Sequence, residues 1–291
     1  MSPGKAALYS PEVSVMTEFS LFGLTNAPGI LTPTPDNPFH NWNIFVINYV
    51  TGDFHVGNND FLYTDGEGNP AILHHRGYHN FQLAKEACLR FFPSADKLLI
   101  MGGSAGAFAV PALAGEIIDA YPACQDVTVY SDSATIRYDF GKAMRDVWKA
   151  KEEIASAAVS DDLSADLFKR LYSQKGDSIR YLFSNSYRDH LFATFQNYID
   201  SGSYTVTEEL CKCFTSTLRE HVSRLRSGNP TMCFYLSDQK PVRPDAPGTE
   251  HGLTVNEGFL KHPVDGVTCA QWLWNAVNGS PEDVGMRLLN C

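Results

Sequence analysis

The most constraining feature of this chain is a junction near residue 101. Lys97-Leu98-Leu99-Ile100-Met101 is a short apolar run that passes directly into Gly102-Gly103-Ser104-Ala105-Gly106, and AFAVPALAGEIIDAYP then reads as a helix ending near Pro122. A continuous apolar run suits a strand buried on both faces. A strand that turns at once into a helix is half of a parallel crossover unit. Pro111 falls inside that helix and is expected to kink it or loosen its start.

The same alternation continues along the chain. Strands are expected at Asn43–Tyr49 (NIFVINY), Lys97–Met101, Val127–Ser131, Ser178–Phe183 and Met232–Leu236. Helical spacing marks about 79–92, 139–150, 161–174, 190–200, 207–226 and 269–277. Residues 1–41 read as irregular, with turn-rich PTPDNP at 33–38. No internal repeat or linker-like tract divides the 291 residues. The expectation is one α/β domain: a mostly parallel sheet with helices on both faces.

Composition narrows the partners. The formal charge of −10 is spread along the chain without a basic stripe, which argues against nucleic acid or an anionic membrane. No apolar run approaches the roughly 18 residues that span a bilayer. MSPGKAALYSPEVSVMTEF has one Lys and broken hydrophobicity, unlike a signal peptide. Seven scattered cysteines (88, 124, 211, 213, 233, 269 and 291) do not form a disulfide framework, and their odd number leaves at least one outside any internal pair. On a helix, Cys211 and Cys213 point to different sides and make a poor metal clamp. His75 and His79 have a spacing that clamps zinc on a helix, with Asp53, His55 and His74 near in sequence. No third ligand at a known spacing accompanies them, so hydrogen bonding within the loop is the preferred reading.

The chemistry centres on Ser104. G-x-S-x-G between a buried strand and a helix puts a serine on a tight turn whose neighbours must be small, here Gly102, Gly103, Ala105, Gly106 and Ala107. Backbone N–H groups at the helix start favour developing negative charge, and the N–H of Ala105 is the expected oxyanion donor. The glycines do not fit G-x-G-x-x-G, and neither Gly-Lys pair is followed by Ser or Thr as a P-loop requires. A serine nucleophile needs a base oriented by a carboxylate, in the chain order Ser, acid, His on an α/β-hydrolase sheet. His251, in the loop after the fifth expected strand, is favoured, with His262 in reserve; His190 and His221 fall on helical patterns. For the acid, Asp189 after the fourth strand is preferred to Asp132 after the third, and either could instead cap a helix. Asp132 would then line the pocket floor or brace a loop.

These residues carry a family resemblance. The chain resembles the pectin acetylesterase/Notum family of serine carboxylesterases in NPFHNWNIFVINYVTGDFHVGNND (37–60), RGYHNFQLAKEACLRFF (76–92), GGSAGAFA (102–109), SDS (131–133), SNSYRD (184–189) and TEHGLT (249–254). Coverage runs from about residue 30 onward. The resemblance implies an α/β-hydrolase fold and O-deacylation, of acetyl from carbohydrate or of a longer acyl chain. It implies Ser104 as nucleophile, Asp189 as acid and His251 as base; beside these, Ala105 is the expected oxyanion donor and Gly103, Asp132, Asp53 and His55 are candidate pocket residues. It implies neither metal nor organic cofactor, a small-molecule or carbohydrate ester as substrate, and relatives that are usually secreted. Three positions depart from the family pattern. No Gly-Gly-Gly-x-Cys segment precedes Ser104, so the N-terminal part reads as incomplete; Gly252 follows His251 where Thr is usual; and Val50 replaces the usual Cys. Loss of the oxyanion donors in that segment gives a second expectation: a catalytically impaired or non-catalytic binding relative.

Overall fold

Four parallel strands form the centre of the molecule, in the order β3 (Lys97–Gly103), β4 (Asp126–Asp132), β5 (Arg180–Ser186) and β6 (Cys233–Ser237). The structure, a computed structural model, describes residues 29–241, 243 and 245–291. The expectation of an irregular start, so far as it concerns residues 1–28, lies outside the described residues.

Continuous apolar runs became central strands because both faces are covered. Ser131 and Tyr130 are adjacent on β4 and therefore point to opposite faces. Ser131 reaches α2 (Ala105–Ala120), where its hydroxyl donates to the Ala107 carbonyl at 2.8 Å. Tyr130 packs edge-on against Trp272 of α6 (Cys269–Val277), with ring centroids 5.6 Å apart. Phe183 of β5, on the Ser131 side, meets His221 of α5 (Glu208–Gly228) at 4.8 Å. Helices thus cover both faces, as expected. The remaining long helices are α1 (Gly77–Phe91), α3 (Leu163–Lys175), packed against α2 and α5, and α4 (His190–Ser201).

Pro111 does not interrupt α2. A proline there removes the N–H that would bond the Ala107 carbonyl four residues back. The Ser131 hydroxyl donates to that carbonyl instead, so the expected loosening is compensated from the sheet.

Three local features differ from the sequence reading. Residues 43–50 carry no strand; Ile44, Phe45, Val46 and Val50 are exposed. β-propensity reflects fit to a paired, half-buried surface, and no ladder among the described residues includes this stretch. Conversely, β1 (Asn59–Thr64) and β2 (Pro70–His75) form an antiparallel hairpin that was not anticipated. Its turn is held by Asp65, whose carboxylate accepts the N–H groups of Glu67 and Asn69, with Gly68 at φ +88°. The helical pattern at 139–150 resolves into a short helix, Phe140–Lys142, continuing as a π-turn, Ala143–Trp148.

All seven cysteines are free. Cys211 is buried and Cys213 exposed on α5, as the helical spacing required. His75 lies at the end of β2 and His79 on α1, so no single helix presents them together. Among the described residues no group of three His, Cys, Asp or Glu is arranged to hold a metal ion, and no helix is long and apolar enough to cross a membrane.

Candidate active site

The residues singled out by the sequence gather at the carboxyl edge of the sheet, where open α/β sheets bind their ligands. Ser104 follows β3 with φ 53° and ψ −118°, a conformation rarely adopted by a residue with a side chain. The turn closes because a Cβ at Gly102 would collide with the carbonyl oxygen of Gly106. The N–H of Ser104 donates to the Asp132 carbonyl at 2.9 Å, fixing the turn to β4. At the start of α2, the amides of Ala105 and Gly106 have no helical carbonyl four residues back to bond.

Asp189 lies just past β5 and is fully buried. Its Oδ1 accepts the N–H groups of Leu191 and Phe192 at 3.0 and 2.9 Å, capping α4. Its Oδ2 accepts the Asn185 amide at 3.1 Å and His251 Nδ1 at 2.8 Å. A carboxylate only accepts, so Nδ1 carries the proton and Nε2 of the neutral ring keeps its lone pair. That Nε2 is buried without a hydrogen-bond partner, and the ring meets the edge of Phe192 at 4.7 Å.

Burial alone would lower the imidazole pKa of His251. The charge and hydrogen bond of Asp189, with smaller contributions from Asp132 and Glu250, outweigh it and raise the pKa above the ordinary 6.5. The other histidines weighed as the base are engaged elsewhere: His190 Nδ1 bonds the Thr249 carbonyl, His221 bonds Asp162, and His262 bonds Asp238.

Beside Ser104 is a cavity of about 270 Å³, counting its open mouth, lined by Phe54, Ser104, Ala105, Phe108, Ile136, Phe192 and Phe195. Its wall is apolar apart from the serine. Phe54 stacks on Phe108 at 4.5 Å and has φ 49°, followed by His55 at φ 60°. Asp53 holds this left-handed pair in place. Its Oδ1 accepts from the Thr51 hydroxyl and His55 N–H at 2.5 and 3.1 Å, and its Oδ2 accepts from Gly77 N–H at 2.8 Å. Asp53 and His55 therefore flank a cavity residue without lining the cavity themselves, and Gly103 and Asp132 also lie outside its lining. Phe54 was not singled out from sequence, although the Gly/Asp-rich loop around it was the available signal.

Comparison with known proteins gives one likeness in sequence and one in fold. The pectinacetylesterase family model matches residues 25–136, which include the Phe54 loop, Ser104 and Asp132. The Wnt deacylase Notum from Drosophila superposes with a TM-score of 0.60 at 16% identity, covering 92% of this chain and 81% of that one. Residues 25–136 are pectinacetylesterase-like in sequence, and the chain is Notum-like in fold. No curated protein matches it. In this Notum-like fold the Ser104 turn follows β3, Asp189 follows β5 and the His251 loop follows β6, and the pectinacetylesterase-like region contributes the serine turn and the Phe54 wall of the cavity.

Proposed function

We propose that the chain is a serine carboxylesterase that removes a short acyl group, of acetyl size, from an alcohol oxygen, with carbohydrate as the favoured acceptor. The observation that carries this reading is the Asp189–His251 hydrogen bond at 2.8 Å, which leaves Nε2 unprotonated at the same sheet edge as Ser104. Nε2 takes the Ser104 proton as Oγ bonds to the ester carbonyl carbon, and the carbonyl oxygen becomes an oxyanion facing the Ala105 N–H. The C–O bond to the alcohol breaks, and His251 returns the proton to the departing oxygen. Water then attacks the acyl-serine with His251 again as base, releasing the acid and restoring Ser104. The cavity supports a short acyl group. Phe54, Phe108, Phe192 and Phe195 close round the space beside Ser104 and leave little room for a long chain. The pectinacetylesterase likeness supports the acetyl and carbohydrate assignments, and the likeness to a deacylase supports the reaction class.

One observation favours a second reading, an ester-binding relative that does not turn over: His251 Nε2 makes no hydrogen bond, to Ser104 or to any other group. Catalytic hydrogen bonds are often long before substrate binds, so the esterase reading is preferred. A fluorophosphonate probe separates the two. Labelling of the purified chain that vanishes in Ser104→Ala supports the esterase; a folded chain that takes no label rejects it.

A further inference from the structure

We propose that Asp132 is a positioning residue that sets the relation of Ser104 to His251 by binding the serine turn through its backbone and the histidine loop through its carboxylate. The proposal rests on the reading of Ser104 and His251 given above.

Asp132 is the last residue of β4, fully buried, and paired in register with Gly103 on β3 and Ser184 on β5. Its carbonyl accepts the Ser104 N–H. Its Oδ2 accepts both the N–H and the hydroxyl of Thr254, at 2.8 and 2.7 Å. Its Oδ1 accepts the Ser184 and Ser133 hydroxyls at 2.8 and 3.2 Å. A buried carboxylate is costly unless its oxygens are bonded, and these four donors are all neutral. The carboxylate is therefore solvated by the protein but neutralised by none of these donors.

The loop bearing His251 is tied down on both sides. Upstream, Thr249 N–H donates to the Arg188 carbonyl at 3.0 Å, Glu250 N–H donates to the Gln239 carbonyl at 2.9 Å, and the Ser186 hydroxyl donates to the Glu250 carbonyl. Downstream, Thr254 is tied to Asp132. His251, Gly252 and Leu253 lie between these anchors, with Gly252 at φ 71°. The Thr254 carbonyl also accepts the Ile30 N–H and the Gly252 carbonyl the Asn256 amide, so losing the Asp132 bonds would loosen the loop rather than release it; a 1 Å displacement of the imidazole can still cost about 10²-fold in rate.

Three carboxylates from three elements act on the ring: Asp189 at the start of α4, Asp132 at the end of β4, and Glu250 on its own loop. Tyr130 and Cys269 reach Asp132 through the Ser184 hydroxyl, and burial pushes both their pKa values far up, leaving them neutral. Asp132 thus contributes position and charge, and two variants separate these. Asp132→Asn keeps the length and removes the charge. Asp132→Glu keeps the charge and lengthens the arm.

The test follows the His251 imidazole titration by NMR in the full chain, assigned with His251→Gln, alongside kcat and KM on p-nitrophenyl acetate. In Asp132→Asn the His251 midpoint is expected to move to lower pH and kcat to fall about 10- to 100-fold with KM unchanged. In Asp132→Glu the midpoint stays near that of the parent chain while kcat is still reduced. An Asn variant with the parent's His251 midpoint and kcat overturns the proposal, as does one that loses only thermal stability. If the Asp132 variants do not fold, Thr254→Val and Thr254→Ser decide. Loss of kcat in Val but not Ser supports the anchor, and equal rates overturn it. A shifted His251 midpoint together with hydrolysis that survives Ser104→Ala supports the Asp132–His251 linkage and overturns the esterase reading instead.

Discussion

Asp189 meets His251 with one carboxylate oxygen, at 2.8 Å, while its other oxygen caps the helix that begins beside it. The two roles anticipated for this aspartate as alternatives, helix cap and partner of the base, are carried by its two oxygens. They separate by mutation. Asp189→Asn keeps an oxygen for the cap but offers His251 an amide, which favours the wrong tautomer. Esterase kcat is expected to fall about 10³- to 10⁴-fold with little change in melting temperature. Asp189→Ala also loses the cap and about 1 kcal/mol of stability, read by chemical denaturation.

The raised pKa of His251 sets a pH dependence. The base must be neutral to accept the Ser104 proton, so kcat/KM should rise with pH through a midpoint above 6.5. A midpoint at or below that value in a pH–rate profile would count against the charge environment described. In stability the sign is opposite. The favourable charged pair of His251 and Asp189 is fully present below 6.5 and is lost as pH climbs through the raised value.

His55 and His75 behave in the other sense. Burial lowers both pKa values against the pull of Asp53. Below 6.5 the unfolded chain takes up protons that these rings resist, so their contribution weakens the fold as pH falls from 6.5 through their depressed values. Denaturation midpoints followed between pH 7 and 5 should show a shallower acid loss in His55→Gln than in the parent chain.

Phe195 is only partly buried where it borders the cavity, unlike Phe54, Phe108 and Phe192. Phe195→Ala should therefore lengthen the cavity at modest cost in stability. The ratio of butyrate to acetate ester hydrolysis, compared as kcat/KM, is expected to rise about tenfold or more. An unchanged ratio would place the acyl chain elsewhere.

Ser131 and Pro111 form a testable pair. Ser131→Ala leaves the Ala107 carbonyl buried without this donor and should cost about 1–3 kcal/mol. Adding Pro111→Ala restores the helical N–H to that carbonyl, and the double variant should recover much of the loss in urea titrations.

Much of this was legible in the chain because the relevant signals are local. KLLIM, VTVYS, SIRYLF and MCFYL announce strands since a centre covered by helices demands unbroken apolar runs. The placement of Ser104, Asp189 and His251 after β3, β5 and β6 was legible because each follows one of these apolar runs. NIFVINY has strand composition, but composition does not supply a neighbour to pair with. The β1–β2 hairpin was signalled only by DGEGN and a weak alternation. The contact of Asp132 with Thr254 joins residues 122 positions apart, and the aim of Phe54 depends on two left-handed residues whose support comes partly from Gly77. Neither leaves a local signature.

The strained Phe54–His55 pair has a consequence for how acyl groups are sorted. Its geometry is held by the Asp53 carboxylate and by stacking on Phe108, none of which involves a ligand. The wall is therefore in place before any ester arrives. Discrimination on that side works by refusing entry to bulk, as a fixed sieve does, and long-chain esters should act as poor competitors of acetate esters as well as poor substrates.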